Sequence, residues 1–228
     1  MISTILVATD GSEACGPAER FGTNLAGRMR ARLLGLSVVE DRLARGFHED
    51  GLGVAPPPPE PVAAYLRARA EAACRRLAER ASSEGVEQSC EVVEGIADDR
   101  IAERGQQADI IVLGRDGHDA VHRTGLIGSV ANGVMRKTAK CTLIVPPTGA
   151  AGGPIVLAFD GSPGSRIAAN VAVQIATRLG EPIHVFVDSK DKGRAVARFE
   201  EVRAGPDFIH HHRAQHNGGD GIAGHAEH

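Results

Sequence analysis

A chain of 228 residues with 42% hydrophobic residues is long enough for one large domain or two ordinary ones, and apolar enough to build a core. Lys and Arg (26) do not outnumber Asp and Glu (29), and one Tyr with no Trp leaves little for base stacking, so no nucleic-acid partner is expected. Met1 runs straight into a strand pattern and no stretch of 18 apolar residues occurs, so neither a signal peptide nor a membrane span is expected, and the chain reads as cytoplasmic.

Thr4 to Thr9 is a short, nearly continuous apolar run rich in β-branched residues, the pattern of a strand covered on both faces. Asp10-Gly11-Ser12 ends it, with Ser12 as the expected N-cap of a helix whose Ala18, Phe21, Leu25 and Met29 recur at helical spacing. Leu33 to Val39 makes a second strand, closing on Glu40-Asp41, so the chain begins as a βαβ unit. From Arg42 to Pro61 the pattern dissolves into glycines and the run Pro56 to Pro59, which reads as a stiff, exposed surface connection. A helix then starts near Pro61, with Leu66, Ala73, Leu77 and Ala81 on one face and a solvated Arg- and Glu-rich face opposite, and Gly85 stops it. Gln88 to Glu94 reads as a third strand, Asp98 to Gly105 as a short helix, and Ala108 to Leu113 as a fourth strand. A helix from Ser129 with Val130 and Val134 on one face, and a fifth strand Cys141 to Val145 ended by Pro146-Pro147, complete the set. Strands alternating with helices predict a doubly wound α/β domain with an open parallel sheet over residues 1–148.

The chain then restarts. Ile5-Leu-Val-Ala-Thr-Asp-Gly-Ser12 is matched 150 residues later by Ile155-Val-Leu-Ala-Phe-Asp-Gly-Ser162, after a Gly-rich linker at 149–153. Ile183 to Val187 parallels the second strand, Lys192 to Val202 the second helix, Phe208 to His212 the third strand, and Asp220 to Glu227 the third helix. A second, incomplete copy over 154–228 is therefore expected, without a fourth strand, a fifth strand or the loop that joins them. Its first strand would stand at an apolar edge, and the copy would be less stable than the first.

That loop is the most informative stretch. Between Leu113 and Val130 the chain carries Gly114, Gly117, Gly125 and Gly128, and a helix starting near Ser129 would aim unpaired amides into the loop. A phosphate cradle and a tight strand-to-helix turn both fit these glycines. Asp10-Gly-Ser, Gly114-x-x-Gly117, Gly128-Ser129 and Leu143-Ile-Val-Pro-Pro together resemble the universal stress protein family. The resemblance covers the whole first copy and the visible part of the second, with one departure: ten residues rather than nine separate Gly117 from Gly128.

The resemblance implies the nucleotide-binding alpha-hydrolase-like fold with strand order 3-2-1-4-5, and ATP as ligand. Gly114, Gly117, Gly128 and Ser129 would hold the phosphates, with Val130 following, while Asp10 and the backbone of Val38 would face adenine and ribose. Ligands of open parallel sheets sit beyond the carboxyl ends of strands where the order reverses, which places Asp10 beside the Gly114 loop. Arg115, His118, His122 and Arg123 would offset phosphate charge, whereas Asp116 and Asp119 would oppose it unless Mg²⁺ intervenes.

No P-loop, G-x-S-x-G or H-E-x-x-H occurs. The four cysteines, Cys15, Cys74, Cys90 and Cys141, form no C-x-x-C pair and favour reduced thiols over a disulfide frame or zinc site. His210, His211, His212, His216, His225 and His228 crowd the last nineteen residues without a cysteine or acidic cluster, and no metal site is assigned to them. The reading is thus a stress-response regulator or sensor binding ATP in its first copy, with at most slow hydrolysis. Its alternative is a nucleotide-free dimerising scaffold, and an adenylating enzyme of related fold ranks third. The resemblance implies a homodimer paired through the fifth strand.

Overall fold

The computed structural model describes residues 2–40, 60–117, 127–149 and 152–187, with shorter stretches at 193, 197, 213–216 and 224–225. The chain divides into two compact units, Ile2–Ala151 and Gly152–His228 together with Met1.

In the first unit β1 (Thr4–Ala8), β2 (Arg32–Glu40), β3 (Gln88–Gly95), β4 (Ile110–Gly114) and β5 (Cys141–Val145) form a parallel sheet in the order β3-β2-β1-β4-β5, as expected. Ile5 pairs with Leu33 on one side and with Ile110 on the other, so β1 is hydrogen-bonded along both edges. This explains why Ile5, Val7, Ile110 and Val112 are fully buried and why β1 and β4 read as continuous apolar runs. Helices α1 (Gly16–Met29) and α2 (Glu60–Ser83) cover one face, and α3 (Ala97–Gly105) and α4 (Ser129–Lys137) the other. Helix α1 packs so close to β1 that a Cβ on Gly22 would stand 2.5 Å from Val7 Cγ2, and only glycine permits that approach. On the opposite face Leu6, Leu36, Leu113 and Val134 share a core cluster with Ile101 of α3.

Two expectations need correction here. Ser12 does not cap α1: Glu13–Cys15 form a 3₁₀ turn first, and α1 begins at Gly16. Pro17 sets this start, since its fixed φ and missing N–H suit the first helical turn. Nor are all four cysteines reduced. Cys74 of α2 and Cys90 of β3 are disulfide-bonded, Cα to Cα 5.6 Å, while Cys15 and Cys141 are free. The hairpin of helix and strand brings the pair together. Cys74 lies nine residues before the end of α2, about 13 Å along a helix, and Cys90 lies four residues past Val86, about 13 Å along a strand.

The second unit repeats the beginning: β6 (Ile155–Ala158), α5 (Pro163–Leu179) and β7 (Ile183–Val187), with β6 and β7 parallel. Leu157, Phe159, Val173, Ile183 and Val185 form its core. A third parallel strand does pair with β7, but it is β8 at Arg213–His216; Phe208 to His212, where it was expected, lies outside the described residues. Gly224–His225, in the segment expected to parallel the third helix, forms a short β9 antiparallel to β8. Gly221 and Gly224 disfavour a helix there by up to about 1 kcal/mol each, and the two described residues pair with the edge of β8 instead. β6 stands at the edge of the order β6-β7-β8-β9, with Val156 70% exposed. Most of the expected helix 192–202 lies outside the described residues.

Candidate functional site

A cavity of about 220 Å³ opens at the carboxyl ends of β1, β2 and β4, where the strand order reverses between β1 and β4. Asp10, Val38, Gly114, Arg115, Gly117, Gly128, Ser129 and Val130 all line it. Leu36, Ala97, Ile101 and Leu113 give it apolar walls, and Leu66, Arg69 and Ala70 of α2 close one side.

The Asp10 loop is a self-contained turn. Asp10 Oδ1 accepts from the Ser12 amide at 2.8 Å, and Gly11 takes φ +73°, a left-handed conformation that side chains resist. Burial pushes the Asp10 carboxyl up, but hydrogen bonds from Ser12 and Cys15 and the charge of Arg69 outweigh it and hold it below the usual carboxylate value. Behind the loop, Thr9 Oγ1 donates to Glu19 Oε1 at 2.5 Å and accepts from the Gly11 amide at 3.1 Å. Glu19 is 1% exposed, and Arg76 of α2 reaches it at 3.6 Å while also donating to the Gly11 carbonyl at 3.3 Å. A buried carboxylate of α1 and an arginine of α2 thus anchor the loop that presents Asp10.

The glycine loop meets Asp10 from the other side. A Cβ on Gly117 would find nothing closer than Asp10 Oδ2, at 3.7 Å, so this glycine leaves open the space that a side chain would occupy in front of the carboxylate. A Cβ on Gly128 would lie 2.9 Å from the Arg115 carbonyl, which accepts from the Gly128 amide at 2.8 Å. The first bond of α4 runs from the Asn132 amide to the Gly128 carbonyl, so the amides of Ser129, Val130 and Ala131 precede its ladder, and Gly128 supplies no side-chain cap. Those amides with the helix dipole favour an anion at this end. Both observations fit a phosphate-bearing ligand lying across the loop.

The charges are arranged differently from what the sequence suggested. Arg115 donates through Nε and Nη2 to Asp116 Oδ2 at 3.0 and 2.9 Å, and Asp116 is 6% exposed, so these two residues neutralise each other inside the wall. His118, Asp119, His122, Arg123 and Gly125 lie outside the described residues. Three residues of the site escaped sequence reasoning. Arg69 sits three residues after Leu66 and four before Ala73, on the inward stripe of α2, and that spacing was the available signal. Glu19 carried none. Cys15 lines the cavity beside Asp10, where burial and then the Asp10 charge push its thiol up to about 12, so it is no nucleophile at neutral pH. No group of three or more potential metal ligands gathers among the described residues.

Fold and cleft together define a doubly wound α/β protein with a five-stranded parallel sheet and a glycine-rimmed cavity at its switch point. A family model of the Universal stress protein family matches residues 1–146, and the chain belongs to that family. Among solved structures it is similar to the universal stress protein UspA from Lactobacillus plantarum, with 27% identity, 63% of this chain and 97% of that chain covered, and a TM-score of 0.50. It also shares its fold with a universal stress protein from Archaeoglobus fulgidus DSM 4304 at 16% identity, over 94% of this chain and 77% of that chain, with a TM-score of 0.67. A functionally unknown protein from Pseudomonas aeruginosa PAO1 matches at 17% identity over 95% and 74% of the two chains, with a TM-score of 0.61. No curated protein matches the sequence. No helix among the described residues is long and apolar enough to cross a membrane.

Proposed function

We propose that the first unit binds an adenine nucleotide, ATP, in the switch-point cavity, and that the protein acts as a stress-response regulator or sensor through that occupancy. The observation that carries this reading is convergence: residues from the ends of β1, β2 and β4 and the start of α4 meet around one space, with the Gly117 opening facing Asp10. Gly114, Gly117 and Gly128 would let the phosphates approach the backbone, and the amides of Ser129 and Val130 would receive them. Val38, at the end of β2, and Asp10 would meet the base and ribose. The volume is below the roughly 300–1,000 Å³ of pockets that enclose a whole drug-sized ligand, which supports a base held inside and phosphates lying across the rim. Asp116 is a poor ligand for a Mg²⁺ ion, because its carboxylate is taken by Arg115. No nucleophile and base stand arranged in the cavity among the described residues, which favours slow hydrolysis at most over turnover.

The test is a melting experiment on the full chain. ATP at a hundredfold its Kd should add about 2.7 kcal/mol to the stability of the unit that holds it. An unchanged midpoint at millimolar Mg-ATP, with no nucleotide carried through purification, overturns the reading.

A second reading rests on a separate observation. β5 is an edge strand of the first sheet, and its Leu143 and Ile144 are only partly buried. Unpaired strand edges of this kind recruit partners, and pairing through β5 of a second copy would give a homodimer. Sedimentation that stays monomeric at high concentration rejects it.

A further inference from the structure

Carboxylates outnumber guanidiniums around the cavity. Asp10, Glu40 and Asp116 stand against Arg69 and Arg115, and Arg115 is bound to Asp116 by two hydrogen bonds. A nucleotide with several phosphate charges, laid over Gly117, would bring them close to the Asp10 carboxylate, because the space above Gly117 ends at Asp10 Oδ2. Helix-start amides alone set about half an elementary charge against that repulsion. The other cation of the wall comes from α2 rather than from the glycine loop.

The docking of α2 fixes where that cation stands. Ala73 packs over Gly11, where a glycine Cβ would come within 3.0 Å of Ala73 Cβ, and Arg76 holds the Gly11 carbonyl. One helical turn before Ala73 and on the same face of α2, Arg69 lines the cavity with Ala70 and is half-buried there. Its charge is felt by Asp10.

We infer that Arg69 is the phosphate-recognising side chain of this site, reaching from α2 across Asp10 to the phosphates held over the glycine loop, and that it sets the preference for nucleotide over nucleoside. This rests on the nucleotide reading above and adds a residue that the glycine pattern does not contain. A guanidinium suits the role, since its planar fork can serve a phosphate and a carboxylate at once.

The experiment measures ATP and adenosine binding to the full chain by calorimetry, in EDTA so that no divalent cation substitutes for the side chain, for wild type, Arg69→Gln and Arg69→Lys. Gln keeps helix propensity and most of the stem, and the melting point without ligand verifies the fold. Arg69→Gln should weaken ATP about 10- to 100-fold, the value of a charge-assisted hydrogen bond, leave adenosine within about twofold, and regain part of the ATP affinity as Arg69→Lys. Equal ATP affinity in wild type and Arg69→Gln overturns the assignment alone. So does an equal loss for ATP and adenosine, which would mark Arg69 as a packing residue. A wild type that binds neither ligand overturns the nucleotide reading itself.

Discussion

The two Asp-Gly-Ser loops are close copies that live in different surroundings. Asp10 accepts from the Ser12 amide at 2.8 Å and Asp160 from the Ser162 amide at 2.9 Å, and Gly11 and Gly161 take φ of +73° and +77°. Yet Asp10 is partly covered and lines a cavity, whereas Asp160 is exposed. The difference lies in the neighbours. In the first unit β4 and its glycine loop stand beside β1; in the second, β6 is an edge among the described strands. A local turn is written into eight residues, but a site needs the strand next door.

The support behind the loops has diverged as well. Thr9 and Glu19 form a buried hydrogen bond in the first unit, and the residues 150 positions later are Phe159 and Ala169, which join an apolar cluster. Replacing a buried polar pair by well-packed apolar groups is often neutral or stabilising, because the carboxylate no longer has to be desolvated. The first unit retains the polar version where Arg76 and the Gly11 amide need it to hold the loop still. Pro17 and Pro163 add a further shift. Pro163 directly follows Ser162, so α5 starts at once and Ser162 Oγ caps it by accepting from the Ser165 amide.

The largest expected effect concerns stability. The second unit has a short sheet with an exposed edge, whereas the first has a five-stranded sheet and a disulfide closing a 16-residue separation. Heating should therefore melt the second unit first, and limited proteolysis should cut it first. Reducing Cys74–Cys90 should lower the first unit by about 3 kcal/mol, by restoring chain entropy to its unfolded state, and bring the two transitions together. Calorimetry with and without a dithiol reductant measures this, and a first unit indifferent to reduction refutes it.

Next comes Glu19→Ala, which leaves the Thr9 hydroxyl without its acceptor and Arg76 without its buried partner. A loss of about 2 kcal/mol in the first unit is expected, with ATP affinity falling in step as the Asp10 loop loosens. Ala169→Ser, at the matching place in the second unit, should change neither quantity appreciably. If Glu19→Ala lowers stability but leaves ATP binding intact, the loop does not depend on this anchor.

Gly117→Val and Gly161→Val then separate site from turn. The first puts a side chain into the space facing Asp10 and should cut ATP binding by roughly 100-fold, about 2.7 kcal/mol, with the fold retained. The second strains a residue at φ +77° and should destabilise the second unit by about 1–2 kcal/mol without touching ATP affinity. Titration calorimetry on both variants is the measurement, and ATP bound normally by Gly117→Val would remove the phosphates from this loop.

These contrasts also explain what could be read from residues alone. The five strands of the first unit were legible because β1 and β4 are continuous apolar runs and Gly85 and Pro146 punctuate the chain, whereas their order was implied only by the resemblance to the universal stress protein family. The Asp10 and Gly114–Gly117 neighbours were legible once the switch-point rule was applied to that implied order. The disulfide was not, since it depends on how far a helix and a strand each carry a cysteine from their common turn. Arg69 hid among the charged residues of α2, because an inward arginine differs from a solvated one only by the register of a mostly alanine stripe. Phe208 to His212 looked more strand-like than β8, whose Arg-Ala-Gln-His has no apolar alternation; pairing with β7, not pattern, defines it.

The smallest expected effect is the pH response of the two aspartates. Asp160 is held down to about 2 from an ordinary value of 3.8, by the Ser162 side chain first, then the Ser162 amide and Ser165. Asp10 is also lowered, against its burial. A carboxyl whose folded value lies below its unfolded one binds fewer protons in the fold, so its stabilising contribution is present above pH 3.8 and disappears as the pH falls through the folded value. For Asp160 that window runs from pH 3.8 down to about 2, and because the group is exposed and screened the contribution is slight. Asp160→Asn should flatten the acid limb of the second unit alone, and Asp10→Asn that of the first. Because Asp10 also faces the ligand, only Asp10→Asn should change ATP affinity, and the sign identifies its partner: tighter binding if the phosphates lie against the carboxylate without a cation, weaker binding if Asp10 grips the ribose or a Mg²⁺ ion. Equal ATP binding in wild type and both variants would mean that the Asp10 carboxylate, for all its burial, takes no more part in holding the ligand than Asp160 does.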